Sequence, residues 1–69
     1  MNDRLLSVEE TAAVLDTTVE RVYALKKAGL LKFMKLGRLK CRQKTLEAFM
    51  EEYEGYDLND LSDIKALAN

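Results

Sequence analysis

In the N-terminal third of the chain, apolar residues recur every three or four positions, which is the period of an amphipathic helix. Val8, Ala12 and Leu15 follow this spacing, and they predict a first helix with one buried face. Ser7 and Glu10 form a capping-box pattern at its start, in which each side chain accepts a hydrogen bond from the backbone of the other residue. The sequence therefore predicts a helix that begins just after Ser7.

A second helix is predicted over residues 19–28, after a short break at residues 16–18. The break contains an aspartate, which tolerates left-handed backbone, and two threonines that can cap the next helix. Val22 and Leu25 are the predicted core residues of the second helix. Gly29 follows at the position where glycine commonly ends a helix.

Between residues 31 and 42 the apolar period drops to two, which indicates extended strands. Met34 and Leu36 alternate with polar or aromatic neighbours, and Leu39 and Cys41 alternate with basic ones. The pair at residues 37–38 contains a glycine and separates the two runs. This pattern predicts a short hairpin with one apolar face and one mostly cationic face.

A third helix is predicted over residues 45–54, where apolar residues return at helical spacing and Gly55 follows as a stop. Met34, Cys41 and Met50 are interpreted as buried core residues. Two short helices followed by a basic hairpin are typical of a winged helix-turn-helix. The predicted fold class is therefore mostly α with a small β-hairpin, plus a short C-terminal helical segment.

The C-terminal segment carries apolar residues every three positions, which predicts a short helix or a 3₁₀-like turn: Leu58, Leu61, Ile64 and Leu67. A helix this short is not stable alone in water. We expect it either to dock on its own domain, against Phe33 or the third helix, or to remain free as a handle for a protein partner. The chain thus divides into a domain at residues 1–55 and an acidic amphipathic segment at residues 56–69.

Charge is strongly segregated along the chain. Nine of the eleven basic residues lie between Arg21 and Lys44 with no acid among them, whereas residues 45–64 hold seven acids and no base. The net charge of -1 therefore conceals a basic region that would attract a polyanion. Such a pattern indicates a small nucleic-acid-binding domain, and the alternative is a solvated charged surface.

Composition argues against several other classes of protein. A chain of 69 residues with 48% hydrophobic and 33% charged residues is typical of one small globular domain. One cysteine and no histidine leave no disulfide, no metal cluster and no usual general base. We expect no enzymatic activity, no cofactor and no metal. No apolar run reaches the ~18 residues of a membrane span, so a cytoplasmic protein without membrane contact is expected.

Five short stretches carry a resemblance to a known family. They are residues 5–12, 22–23, 29–31, 35–38 and 46–50, with the sequences LLSVEETA, VY, GLL, KLGR and LEAFM. Together they resemble the small excisionase-type winged helix-turn-helix domains, relatives of the MerR DNA-binding domain, over about residues 5–51. Asp16 stands where that family often has glycine, and Thr17 where it usually has an aliphatic residue.

The resemblance implies double-stranded DNA as the ligand and places the second helix in the major groove. The base-reading residues that it implies are Thr18, Val19, Glu20 and Arg21. Arg21 can pair with a guanine edge, with a surface salt bridge as its alternative. Glu20 can accept from cytosine or simply stabilise the helix start.

The implied contacts to the DNA backbone come from the second helix and from the hairpin, which would serve as the wing: Tyr23, Lys27, Lys35, Arg38 and Lys40. The Tyr23 hydroxyl can reach a phosphate, or its ring can pack against the hairpin. Each cation alone could equally be a solvated surface residue. Phe33 is expected either to wedge against a sugar or to receive the C-terminal segment.

Three functions are compatible with the sequence and with this resemblance. The first is an excisionase-like accessory factor of a prophage or mobile element, which helps an integrase or recombinase on DNA. The second is a small transcriptional regulator on the same fold. The third is a protein-interaction module or phage assembly adaptor. The resemblance implies a bacterial or phage-encoded, nucleoid-associated protein, monomeric when free and able to meet another copy of itself on DNA.

Overall fold

The computed structural model describes residues 3–67, which form three helices and two small antiparallel sheets. The first two residues of the predicted domain (1–2) and the last two of the predicted C-terminal segment (68–69) lie outside this range. In chain order the elements are β1 (Leu5–Ser7), α1 (Val8–Leu15), α2 (Val19–Lys27), β2 (Met34–Leu36), β3 (Arg38–Arg42), α3 (Gln43–Glu52), β4 (Tyr56–Asp57) and β5 (Lys65–Ala66).

The capping chemistry predicted for the first two helices is confirmed. Ser7 Oγ accepts the Glu10 N–H at 3.0 Å, and Glu10 Oε1 accepts the Ser7 N–H at 2.8 Å. Asp16 ends α1 in the left-handed conformation with φ 54°. Thr18 Oγ1 then accepts the Arg21 N–H at 3.1 Å and begins α2. The turn between α1 and α2 is therefore defined by local side-chain hydrogen bonds.

Two buried clusters form the core. The first contains Leu6, Leu25, Leu31, Cys41, Leu46 and Phe49, and the second contains Val8, Ala12 and Val22. The predicted core positions of Val22, Leu25 and Cys41 are confirmed. Phe33 is half-buried and packs against both clusters, so the aromatic ring at that position has a packing role within the domain.

Strand β1 was not predicted, and it completes a three-stranded sheet of order β1-β3-β2. Leu6 lies opposite Cys41 in this sheet, and both side chains are buried. The Gln43 N–H also donates to the Arg4 carbonyl at 2.9 Å. These contacts join residues 4–6 to β3 and to the start of α3. Helix α3 begins at Gln43, two residues before its predicted start.

The basic hairpin, residues 34–42, corrects the predicted assignment of its two faces. Lys35 lies opposite Leu39 and Leu36 opposite Arg38, so the turn is centred on Gly37 with φ 71°. A shift of one residue in register moves side chains to the other face. Met34 and Leu36 are consequently 40% and 64% exposed, and the prediction of Met34 as a core residue is wrong.

Helix α3 also differs from the prediction in one core position. Leu46 and Phe49 are buried, as their spacing indicated, but Met50 is 37% exposed. Met50 borders a surface depression together with Val14 and Leu46. It therefore covers the edge of the core and does not fill its interior. The helix ends at Glu52, with Tyr53 as its C-cap.

The C-terminal segment is not helical, which contradicts the predicted helix or 3₁₀-like turn. Residues 55–67, here called the terminal hairpin, place Tyr56 opposite Ala66 and Asp57 opposite Lys65. Short polar side chains in the connecting loop bind its backbone: the Asn59 N–H donates to Asp57 Oδ1 at 2.9 Å. Such bonds offer the backbone an alternative to a helix.

The terminal hairpin docks on its own domain, one of the two arrangements expected. Leu58 and Leu61 pack against the first core cluster, which contains Phe49 of α3. A groove of about 440 Å³ between the hairpin and the domain is lined by residues of α1, α2 and α3 as well as by residues of the hairpin. Phe33 does not line this groove, so the terminal hairpin meets the three helices there, including Phe49 of α3.

Candidate nucleic-acid interface

The first turn of α2 presents polar side chains at an accessible helix end. Glu20 and Arg21 are exposed, and Thr18 is exposed although its hydroxyl oxygen caps the helix. Val19 is half-buried and packs against the second core cluster. The structure thus brings Thr18, Glu20 and Arg21 together at one helix end, while Val19 is partly committed to packing.

The side chains of Arg21 and Tyr23 project from opposite sides of the exposed face of α2, because residues two positions apart in a helix differ by about 200° in direction. Tyr23 is 48% exposed and lines a shallow depression together with Arg38 and Lys40 of β3. On the other flank, Arg21 Nη1 donates to the Asn59 carbonyl of the terminal hairpin at 3.2 Å. The face of α2 between these residues is bordered by the basic hairpin on one side and the terminal hairpin on the other.

The predicted cationic residues form no salt bridge within residues 3–67, although the pKa of Glu10 is lowered by the hydrogen bond from the Ser7 backbone and, more weakly, by the charge of Lys40. Lys27, Lys35 and Arg38 are exposed, Lys40 is half-buried, and none of them forms an ion pair in that range. A cation without an internal partner retains its full charge for an external anion. These four side chains therefore suit contact with the phosphates of a nucleic acid. Arg38 and Lys40 point to one face of the basic hairpin, and Lys35 points to the other.

Two other arginines are instead neutralised within the domain. Arg4 pairs with Glu10 at 2.9 Å, and Arg42 pairs with Asp3 at 2.5 Å. The hydrogen bond from Arg42 lowers the pKa of Asp3, and the hydrogen bond from the Ser7 backbone lowers the pKa of Glu10. Both carboxylates therefore stay charged at neutral pH and hold their arginines near strand β1.

The outer face of the basic hairpin has a mixed character that sequence reasoning missed. Residues directly opposite in antiparallel strands point to the same side, so Met34 lies beside Lys40 and Leu36 beside Arg38. Exposed apolar side chains thus alternate with cations on one face. The only sequence signal for this arrangement was the single glycine at the turn, since its position determines the register.

The described residues contain no features that indicate other kinds of site. Within residues 3–67 there is no group of three or more His, Cys, Asp or Glu side chains that could hold a metal ion. In the same range no helix is long and apolar enough to cross a membrane. The exposed polar and cationic side chains around α2 remain the prominent chemical feature of the surface.

Comparison with known proteins agrees with this geometry. A family model described as a helix-turn-helix domain matches residues 5–54, which include α1, α2, the basic hairpin and α3. No curated protein and no solved structure shows a significant match to the chain. Because the family model covers well over half of the 69 residues, the chain belongs to the excisionase-type family of helix-turn-helix DNA-binding domains.

Proposed function

We propose that the protein binds double-stranded DNA site-specifically, with α2 in the major groove and the basic hairpin as a wing on the adjacent backbone. One observation carries this proposal: Tyr23 of α2 and Arg38 and Lys40 of β3 border one continuous depression. A helix and a hairpin that share one cationic edge can contact the same stretch of duplex. Glu9 also borders the depression, but neither Arg38 nor Lys40 forms an ion pair within residues 3–67.

Base reading is assigned to the exposed first turn of α2. Arg21 has the donor geometry to bind the O6 and N7 atoms of guanine, and Glu20 can accept from the N4 amino group of cytosine. Thr18 keeps a hydroxyl proton that can be donated to DNA, because its oxygen accepts the Arg21 N–H. Val19 contributes at most a methyl contact with thymine, since part of its side chain packs inward.

Contact with the DNA backbone is assigned to the remaining cationic and aromatic side chains: Tyr23, Lys27, Lys35, Arg38 and Lys40. All but Lys40 are exposed, Tyr23 over about half of its surface. In protein–DNA complexes such contacts fix position and supply affinity that depends little on sequence. The Tyr23 hydroxyl is the neutral member of this group and would donate to a phosphate oxygen.

The biological role that we propose is that of an accessory factor in DNA recombination. Membership of an excisionase-type family supports it, as does the exposed first turn of α2 in a small domain. An integrase or recombinase would be its protein partner. The same surface would serve a transcriptional regulator, and a footprint on an attachment site as opposed to a promoter distinguishes the two.

DNA binding and residue roles are tested together by selecting preferred sites from random duplexes with the full-length protein. Arg21→Ala should then weaken the selected site by about 1 to 3 kcal/mol and random DNA far less. Lys35→Ala should weaken both alike. Lys65→Ala is the matched control, because Lys65 lies in the terminal hairpin, where it pairs with Asp63 at 3.4 Å. It should lower both affinities less than Lys35→Ala does and leave their ratio unchanged.

The outcomes of this experiment separate the assignments clearly. A folded protein that binds no duplex at physiological salt would refute the proposal and would favour a protein-interaction module. Equal losses on selected and random DNA for Arg21→Ala would instead assign Arg21 to the phosphate-contacting residues.

A further inference from the structure

The terminal hairpin lies beside the helix assigned to base reading, although the family match ends before it. The groove between them has Arg21 and Leu25 of α2 on one side and Leu58 and Asn59 of the hairpin on the other. Phe49 of α3 also lines it. The hairpin is therefore a direct neighbour of α2, which its acidic sequence did not indicate.

The contact between the two elements is specific. Arg21 Nη1 donates to the backbone carbonyl of Asn59 at 3.2 Å. The Asn59 N–H is held by Asp57 Oδ1 at 2.9 Å, and the preceding residue, Leu58, packs against the first core cluster. The carbonyl that meets Arg21 thus belongs to a residue held by a side-chain hydrogen bond to its own N–H and by the apolar packing of the residue before it.

The hydrogen bond to the Asn59 carbonyl orients the Arg21 side chain without neutralising its charge. A carbonyl oxygen is uncharged, and Arg21 has no ion pair within residues 3–67, so the guanidinium keeps its full charge. A guanidinium has several N–H donors in a rigid fork. One donor directed at Asn59 leaves the others available for a base edge, and it restricts the side-chain freedom that would otherwise be lost on binding.

We propose that the terminal hairpin is a positioning element of the DNA-reading surface. The Asn59 carbonyl orients Arg21 toward its base, and the Asp57 side chain holds that carbonyl in place. Part of the sequence specificity is thereby determined by residues outside the helix-turn-helix match. This inference rests on the proposed function, because it deepens the role given there to Arg21.

The test compares two variants of Asp57 in the full-length protein. Asp57→Asn removes the charge but keeps an Oδ1 atom that can accept the Asn59 N–H, whereas Asp57→Ala removes both. Asp63→Ala is a further control, since it deletes an acid that pairs with Lys65 and does not line the groove. The measurement is the ratio of affinity for the selected site to affinity for random duplex, with thermal unfolding confirming that each variant is folded.

Loss of an acid should raise affinity for all duplexes similarly in the three variants, because it weakens repulsion of phosphates. Only Asp57→Ala should also lower the specificity ratio, by about threefold to tenfold, at the base position that Arg21→Ala affects. The double variant Arg21→Ala/Asp57→Ala should show no additional loss of specificity. Asp57→Asn should retain the ratio of the unmodified protein.

The inference is overturned if Asp57→Ala and Asp57→Asn show the same ratio, or if the losses from Arg21→Ala and Asp57→Ala simply add. Should Asp57→Ala fail to fold, Leu58→Ala provides the second variant, because it loosens the packing that holds Asn59. An unchanged ratio in Leu58→Ala would then overturn the inference. Failure of the proposed function is distinguishable, since the unmodified protein would then select no site at all.

Discussion

Leu36 and Arg38 lie directly opposite each other across the turn of the basic hairpin, and their side chains point to the same side. The pairing follows from a turn centred on Gly37, whose φ of 71° lies in the left-handed region that glycine adopts most readily. An exposed leucine beside an arginine gives the tip of this hairpin an apolar surface next to its charge. Leu39 takes the inward-facing position instead.

The register predicts different stability costs for neighbouring leucines. Leu36→Ser should change the free energy of unfolding by less than about 0.5 kcal/mol, because the side chain is already in water. Leu39→Ser should cost about 2 kcal/mol, because Leu39 packs against the second core cluster. Urea unfolding measures both. A larger cost for Leu36→Ser than for Leu39→Ser would contradict this register.

The cap of α2 predicts a stability effect that is separable from DNA reading. Thr18→Ala should lower the free energy of unfolding by about 1 kcal/mol, because the Arg21 N–H loses its acceptor. Thr18→Ser keeps an oxygen at the same place and should cost much less. Denaturant titration of the two variants is the measurement, and equal costs would show that the lost methyl group and not the cap is responsible.

Salt dependence of DNA binding follows from the unpaired cations. If Lys27, Lys35, Arg38 and Lys40 each neutralise a phosphate, log affinity should fall against log salt with a slope of roughly -4. Arg38→Ala should make that slope shallower by about one. Fluorescence anisotropy with a labelled duplex at several salt concentrations provides the values. A slope near zero would exclude the phosphate contacts assigned to these residues.

Acid should destabilise the fold through the carboxylates at the sheet edge. The pKa values of Asp3 and Glu10 are lowered in the folded protein, so both contribute stability above the unfolded value of about 4. That contribution is lost as the pH falls through the lowered pKa. Glu10→Gln should therefore flatten the decline in stability below about pH 4. Glu9→Gln, next to it in the same turn, is the control, and an equal effect of both variants would contradict this role for Glu10.

Local chemistry explains what could be predicted from the sequence. The helix cap at Ser7 and Glu10 depends on two residues three positions apart, and the left-handed turn at Asp16 depends on one residue. Both followed from residue type and spacing alone. The burial of Val22 and Leu25 was predicted in the same way, because helical spacing places these two apolar side chains on one face of α2.

Features that depend on a distant partner were not predictable in this way. Strand β1 is only three residues long and is defined by its pairing with β3. The faces of the basic hairpin changed with a one-residue shift at Gly37. In the candidate site, the sequence predicted the cationic residues. It did not predict the hydrogen-bond partner of Arg21, because Asn59 lies 38 residues away, in a segment whose apolar spacing had indicated a helix.

The burial of Cys41 gives the protein a chemical probe of its own motions. This thiol is the only one in the chain, lies in the central strand of the sheet, and is fully shielded from solvent, which raises its pKa. A thiol reagent can therefore modify it only when the core packing around it opens. The labelling rate reports the frequency of that opening in the unmodified sequence, and a ligand that binds the closed fold slows it.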